Sequence, residues 1–218
     1  MTVLSSVVGR IQPGRYEEFL SQSLEVSKLY ERHGAANSRV MQAVNAGEAS
    51  NAWTFSAEFE NAEAYGTFLE EVMTDLEMQN ILARLRSADS PVVIEQQSLA
   101  SEIPLERKQK QGRGDVVEVH VSRVTPGRFE EGLKTATAAC NFAERHGARN
   151  ARLFQLSYAG IGSGLLMLSW EFQSLRTMGK GMDAWATDPK AQAISATMYA
   201  ATPPSTLVFS GVYLTIPV

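Results

Sequence analysis

The residues best suited to chemistry are His120 and Glu118, which lie two positions apart in the run VVEVHVSRV. Alternate residues of a strand share a face, so both side chains would point the same way. At the matching places in the first half of the chain stand Val7 and Ser5. A buried polar group costs roughly 1 to 3 kcal/mol unless it is paired, so a partner or a ligand is expected. We predict that this pair is catalytic, with a hydrogen-bonded interior histidine as the alternative.

Two arginine–glutamate combinations also recur in the two halves of the chain. Arg39 and Glu58 in the first half are matched by Arg152 and Glu171 in the second. A symmetric hairpin would place each arginine opposite the glutamate of its own half, on the strand face away from the helices. An exposed cross-strand pair contributes about 0.2 to 1 kcal/mol. We predict one structural ion pair in each half, with binding of a ligand by the arginines as the alternative.

His33 and His146 occupy matched places as well, each within the phrase Glu-Arg-His-Gly-Ala. The glycine is typical of a helix C-terminus, where a histidine can bond the last carbonyls and favour the negative end of the helix dipole. We predict a structural role for both histidines, with ligand binding as the alternative. No cysteine or histidine lies at metal-ligand spacing from them, so no zinc site is expected.

These matches belong to a repeat that covers the whole chain. Residues 13 to 19 read PGRYEEF and residues 126 to 132 read PGRFEEG, a separation of 126 − 13 = 113 positions that holds without a gap. Two long copies indicate a duplicated domain and not a solenoid. We predict repeats at 1–104 and 115–218. The segment 105–114, LERKQKQGRG, is predicted to be an exposed linker.

Each copy has the periodicities of a β-α-β-β-α-β unit. A β-branched run precedes each Pro-Gly pair, and a helix with apolar residues spaced by four and three follows it. A second helical region is predicted over about 62–86 in copy one and over about 175–200 in copy two, where Asp188-Pro189 should break or restart the helix. In the third strand Trp53, Phe55 and Phe59 should face the helices. In the first strand of copy two we assign the valines to the face that meets the helices. This places Glu118 and His120 on the opposite face, toward the inside of the barrel.

The strand followed by PGR, the Arg-His-Gly helix end and the later Asp-Pro resemble the dimeric α+β barrel superfamily. The resemblance is to NIPSNAP-like members first and to antibiotic-biosynthesis monooxygenases more distantly, and it covers both copies. It implies an α+β fold in which two ferredoxin-like units close one barrel with the helices outside. One chain would supply both units, and their pairing would bury the face that each open sheet leaves exposed.

No cofactor is expected. Relatives of this fold bind haem through a histidine on the second helix, and neither second helix here contains one. The loop from Gly160 to Gly164 precedes no helix N-terminus that could receive the phosphate of a flavin or nicotinamide. Cys140, the single cysteine, lies on the apolar face of a helix and is predicted to belong to the core.

Composition limits the partners. The net charge is −4, and the one cluster of basic residues lacks aromatics, so nucleic-acid binding is not expected. No apolar run approaches the length of about 18 residues needed to span a membrane, and a cytoplasmic location is the default. The leading hypothesis is a barrel protein that binds a small apolar or aromatic molecule, with a homodimer of the fused barrel as a further partner. The alternatives are a cofactor-independent monooxygenase and a structural or interaction protein.

Overall fold

The computed structural model describes residues 1–217. The two halves have the same order of secondary-structure elements, as the repeat predicts. The first half contains β1 (Val3–Ile11), α1 (Tyr16–Arg32), β2 (Ala36–Asn45), β3 (Ala52–Phe59), α2 (Ala62–Thr74), α3 (Leu76–Leu85) and β4 (Val92–Ile103). The second half contains β5 (Val116–Val124), α4 (Phe129–Arg145), β6 (Arg149–Tyr158), β7 (Leu166–Phe172), α5 (Leu175–Thr187), α6 (Pro189–Met198) and β8 (Ser205–Ile216).

The eight strands form one closed antiparallel barrel in the order β1-β3-β2-β8-β5-β7-β6-β4, with β4 paired to β1. Each half contributes four neighbouring strands, in the ferredoxin-like order β4-β1-β3-β2 and its equivalent β8-β5-β7-β6. The halves are joined where β2 pairs with β8 and where β4 pairs with β6. Closure leaves no edge strand unpaired. The predicted fold class, a dimeric α+β barrel made by one chain, is confirmed.

The second helical region is interrupted in both halves. Asp75 ends α2 and caps α3, with its side chain accepting hydrogen bonds from the backbone N–H groups of Glu77 and Met78 at 2.7 and 3.1 Å. Asp188 does the same between α5 and α6, accepting from Lys190 at 2.7 Å. An aspartate that caps a new helix satisfies its free N–H groups and redirects the chain. The break at Asp188 is therefore confirmed. The helical region of the first half has the predicted bounds, and its break at Asp75 was not predicted.

The apolar core has an outer layer between sheet and helices and an inner layer within the barrel. In the first half Trp53, Phe55 and Phe59 pack outward against α1 and α2, as predicted. In the second half Cys140 belongs to the outer layer and is fully buried, and burial raises the pKa of its thiol to about 12. The inner layer contains Ala100, Phe154, Leu156 and Met167, with Leu4 and Val121 against them.

The predicted pairing of Arg39 with Glu58, and of Arg152 with Glu171, is wrong. The strands place Arg39 opposite Ser56 and Arg152 opposite Ser169, with a bulge before each arginine. In copy one the turn between β2 and β3 contains a 3₁₀ segment (Gly47–Ala49). The centre of the hairpin lies one residue nearer the N-terminus than the symmetric hairpin predicted from the sequence would place it. A shift of the turn by one position moves the pairing by two.

Each arginine instead pairs with the glutamate of the other half. The guanidinium of Arg39 lies 3.2 Å from the carboxylate of Glu171, and that of Arg152 lies 2.8 Å from Glu58. All four side chains are largely buried, and Glu171 is only 5% exposed. Burial alone would raise the pKa of Glu58, but the charges of Arg152 and Arg113 hold it below its ordinary value. We call these four residues, together with Arg113, the seam cluster.

The segment 105–114 contains no helix or strand and six of its ten residues are exposed, as its composition suggests, but it is also held against the barrel. Arg113 bridges both glutamates of the seam cluster, at 2.9 Å to Glu58 and 3.0 Å to Glu171. Arg107 is 5% exposed and pairs with Glu144 at 2.7 Å. Gly114 is pressed so closely on β7 that a Cβ there would lie 2.3 Å from the carbonyl oxygen of Phe172. The charged side chains of this segment therefore attach it to the second half and to the glutamates of the seam cluster.

The exchanged pairing predicts which double substitutions compensate. Arg152→Met should lower the free energy of unfolding by about 3 kcal/mol, because it leaves buried carboxylates with less positive charge. In a double-mutant cycle Arg152→Met should couple with Glu58→Gln by about 1 to 3 kcal/mol and with Glu171→Gln by less than about 0.5 kcal/mol. Urea denaturation measures both cycles. A larger coupling of Arg152 with Glu171 would contradict the exchange.

Candidate active site

A cavity of about 400 Å³ lies between the sheet and the helices of the second half. Strands β5, β7 and β8 form its floor, and α4, α5 and α6 form its walls. Its size falls in the range of small-molecule sites, and most of its lining is apolar. Aromatic side chains contribute much of that lining, notably Phe142, Trp170, Phe172, Trp185 and Tyr199.

The polar floor of the cavity is the pair predicted from the sequence. His120 Nε2 lies 3.1 Å from one oxygen of Glu118, and Trp170 Nε1 donates a hydrogen bond of 2.8 Å to the other oxygen. The rings of His120 and Trp170 pack with their centroids 4.9 Å apart. The neighbouring strands β5 and β7 supply the three side chains, and Glu118 and Trp170 lie directly opposite each other in the register. Pairing of the strands thus fixes both partners of the carboxylate.

The environment of Glu118 determines which nitrogen of His120 can act as a base. Burial alone would raise the pKa of Glu118, but the hydrogen bonds that its carboxylate accepts from His120 and Trp170 hold it below its ordinary value. Glu118 is therefore ionised and accepts a proton-bearing Nε2. In neutral imidazole the other nitrogen, Nδ1, is then an acceptor. The pair presents a histidine of fixed tautomer whose Nδ1 can take a proton.

The predicted orientation of this pair is wrong. Glu118 and His120 face the helices, and Val121 faces the barrel interior, where it packs beside Phe154 and Met167. Both faces of β5 are covered by protein, so an apolar set of valines fits the inner layer as well as the outer one. The polar pair thus lies in the cleft between sheet and helices and not inside the barrel.

The first half has the same site in a filled form. Its equivalent cavity measures only about 70 Å³ and is lined by matched residues, among them Val7 in place of His120. Phe19 of α1 occupies the position of Gly132 in α4, and Tyr30 occupies that of Ala143. Phe19 packs against Trp53 with ring centroids 5.3 Å apart. Smaller side chains at these places open the cavity in the second half.

The second half also gains aromatic side chains around the opened space. Trp170 replaces Ala57, Trp185 replaces Val72 and Phe142 replaces Leu29, at positions 113 residues apart. Phe142 and Trp185 meet edge to face with centroids 5.1 Å apart. Aromatic walls of this kind offer flat apolar surfaces and favour a planar ligand. These residues were not predicted to line a site, although the replacements are visible when the two repeats are compared position by position.

The other predicted ligand-binding residues have different surroundings. Arg39, Glu58, Arg152 and Glu171 all belong to the seam cluster and do not line the cavity. His33 is held between two carboxylates, with Nδ1 2.8 Å from Glu71 and Nε2 2.8 Å from Asp75.

His146 lines the cavity and packs on Phe142, with ring centroids 4.4 Å apart. Its nearest acidic partner is Asp188, at 3.8 Å, because Ala184 replaces the second carboxylate.

No group of three or more histidine, cysteine, aspartate or glutamate side chains within 1–217 is arranged to hold a metal ion. No helix in the same range combines the length and apolar character needed to cross a membrane.

Comparison with solved structures places the chain among proteins of this fold. A candidate monooxygenase from Fusobacterium nucleatum matches with a TM-score of 0.64 and 7% identity, over 99% of this chain and 93% of its own. An anthrone oxidase-like protein matches with a TM-score of 0.63 and 15% identity, over 99% and 91%. A variant chlorite dismutase from Candidatus Nitrospira defluvii matches with a TM-score of 0.57 and 10% identity, over 99% and 91%. At these identities the likeness shows the fold alone.

No protein-family model matches the chain, and no curated protein matches its sequence.

The contacts of His33 predict a pH-dependent contribution to stability. Hydrogen bonds to Glu71 and then Asp75 raise the pKa of His33, so the folded protein holds this proton more tightly than the unfolded chain. The resulting stabilisation is complete below the unfolded pKa of about 6.5 and is lost as the pH rises through the raised value. His33→Gln should therefore reduce the free energy of unfolding more at pH 6 than at pH 9. His146→Gln is the matched control, and its effect on the free energy of unfolding should differ less between the two pH values. An equal pH dependence in the two variants would contradict the stabilisation of His33 by Glu71 and Asp75.

Proposed function

We propose that the protein is an enzyme that binds a small planar aromatic molecule in the cavity of its second half. One observation carries this proposal: the Glu118–His120 pair lies at the floor of an aromatic-lined cavity that the first half fills. The equivalent positions of the first half hold Ser5 and Val7, and Val7 lines the filled site. The polar pair and the open space therefore occur together, as expected if the pair acts on what the cavity holds.

The chemistry that fits the pair is removal of a proton from the ligand. Nδ1 of His120 accepts the proton from an acidic C–H or O–H group, and the imidazolium that forms is stabilised by the adjacent carboxylate of Glu118. A positioned base contributes typically about 10² to 10⁴-fold to a rate. The charge of Glu118 is present before the reaction and needs no rearrangement. Trp170 keeps the carboxylate in place through its N–H group.

Proton removal prepares an aromatic ketone for reaction with oxygen, the activity class named for two of the structural neighbours. With anthrone as the example, His120 takes one proton of the methylene group, and the electron pair remains on the substrate as an enolate. The enolate carbon bonds to O₂, and uptake of the proton gives a hydroperoxide. Loss of water then leaves a second carbonyl group. The balance is one CH₂ and one O₂ converted to one C=O and one H₂O.

A binding protein without catalytic activity is the second candidate, since the cavity alone would serve it. The ionised Glu118 beside His120 favours the enzyme, because a purely apolar floor would suffice for binding. The resemblance to NIPSNAP-like proteins, an origin by tandem fusion, a homodimer of the barrel and a cytoplasmic location remain predictions from the sequence.

The first half of the chain supplies the substitution that tests the site. Gly132→Phe copies Phe19, and it should fill the cavity and weaken binding of anthrone at least about 100-fold while the free energy of unfolding is maintained. Quenching of tryptophan fluorescence measures the affinity. A Cβ at position 132 would meet its nearest neighbour, a methyl carbon of Val124, at 3.9 Å, so the backbone tolerates the change.

Gly179→Phe is the matched control, since it lies on α5 outside the cavity and a Cβ there meets nothing within 4 Å. It should leave the affinity unchanged within about twofold. Equal weakening by both variants, or by neither, would place the ligand elsewhere.

His120→Val separates catalysis from binding. The variant restores the residue found in the first half, and it removes the proposed base. Anthrone-dependent uptake of O₂, measured with an oxygen electrode and corrected for the protein-free rate, should fall about 10² to 10⁴-fold. The affinity for anthrone should change by less than about threefold. An unchanged rate would remove His120 from the mechanism and favour the binding protein.

A further inference from the structure

The cavity of the second half has an unusual balance of charge. None of the residues that line it within the described part of the chain is a lysine or an arginine, although the chain contains 20 of these residues. The arginines of the seam cluster lie on the other face of the sheet. Glu118 is the one acidic residue in the lining. Any charged ligand thus meets the carboxylate of Glu118 and no lysine or arginine, and the two histidines of the described lining, His120 and His146, are the only side chains there that can take up a positive charge.

Glu118 cannot be neutralised easily to admit an anion. Its pKa is held below the ordinary value, and its two oxygens already accept hydrogen bonds from His120 and Trp170. A carboxylate or phosphate in the cavity would lose its hydration without gaining a lysine or arginine as a partner. It would also be repelled by Glu118 across a partly buried space, where screening by water and salt is weak.

The remaining polar groups favour a neutral ligand that donates a hydrogen bond. Nδ1 of His120 is an acceptor, so the group that meets it must carry a proton. The other hydrogen-bonding groups of the wall include neutral hydroxyls, among them Ser122, Thr135 and Ser195. Ser195 already accepts a bond of 3.1 Å from Trp185 Nε1, which leaves its own proton to donate. Hydroxyls of this kind can bond a carbonyl or hydroxyl of the ligand without adding charge.

We infer that the substrates of this site are uncharged hydroxylated aromatic compounds, such as phenols and their keto forms, and that aromatic carboxylates are excluded. This inference rests on the proposed function, because it describes the same cavity. It adds Glu118 as the residue that sets selectivity by charge, besides its part in holding His120. The reaction that supplies such a substrate must leave it without a free carboxylate, for example by decarboxylation or by ring closure.

A matched pair of probes tests the inference. 2-Naphthol is neutral at pH 7, and 2-naphthoate has the same ring system with an anionic group. Dissociation constants are measured for both by quenching of tryptophan fluorescence in the wild-type protein and in Glu118→Gln. We expect 2-naphthoate to bind at least about tenfold more weakly than 2-naphthol to the wild type, and the ratio to fall to about threefold or less in the variant.

The outcomes separate this inference from the proposed function. Gly132→Phe and its control Gly179→Phe are measured with the same two probes. If 2-naphthoate binds the wild type as tightly as 2-naphthol, and Gly132→Phe weakens both, the cavity is the site but the assigned substrate class is wrong. If Gly132→Phe weakens neither, the proposed function itself is wrong. If the ratio persists in Glu118→Gln, Glu118 does not set the selectivity and the inference is overturned.

Discussion

The barrel closes because both edge strands of each half pair with the edge strands of the other half. Strand β2 pairs with β8 and β4 pairs with β6, so neither sheet could keep its inner face dry alone. The exchanged ion pairs of Arg39 with Glu171 and Arg152 with Glu58 join strands that are not neighbours, β2 with β7 and β6 with β3, and so connect the two halves across the barrel. Removing one partner of such a buried pair leaves a charge uncompensated, which costs about 3 to 5 kcal/mol. Both halves must therefore keep the barrel face, and the two arginines and two glutamates of the ion pairs are matched in both.

The face that meets the helices is free of this constraint, and the two halves differ most there. The first half fills its sheet–helix space with Phe19 and Tyr30, and the second half has Gly132 and Ala143 in their places. Removing a large core side chain typically costs about 3 to 5 kcal/mol when nothing replaces it. Trp170, Trp185 and Phe142 offset part of that loss at the cavity wall. One half thus keeps a well-packed core, and the other exchanges packing for a binding space.

Most of the architecture could be predicted from the sequence, because a gapless repeat preserves the length of every element. Two features could not. The pairing of β2 with β3 depends on where the turn falls and on the bulge beside Asn37, which has a φ of 53°. The face of β5 is ambiguous because both of its sides are buried in apolar layers. The pair of Glu118 and His120 could still be predicted, because residues two positions apart share a face of the strand whichever face that is and whatever the register. The cavity was missed because it results from small residues, which carry no pattern of their own.

The most direct test of this division between the halves is the location of a bound ligand. Crystals of the protein soaked with 6-bromo-2-naphthol and measured at the bromine absorption edge would locate the compound by anomalous scattering. One peak per chain is expected, between the sheet and α4, α5 and α6, with the hydroxyl group toward His120. A peak in the equivalent space of the first half, or inside the barrel, would contradict the account.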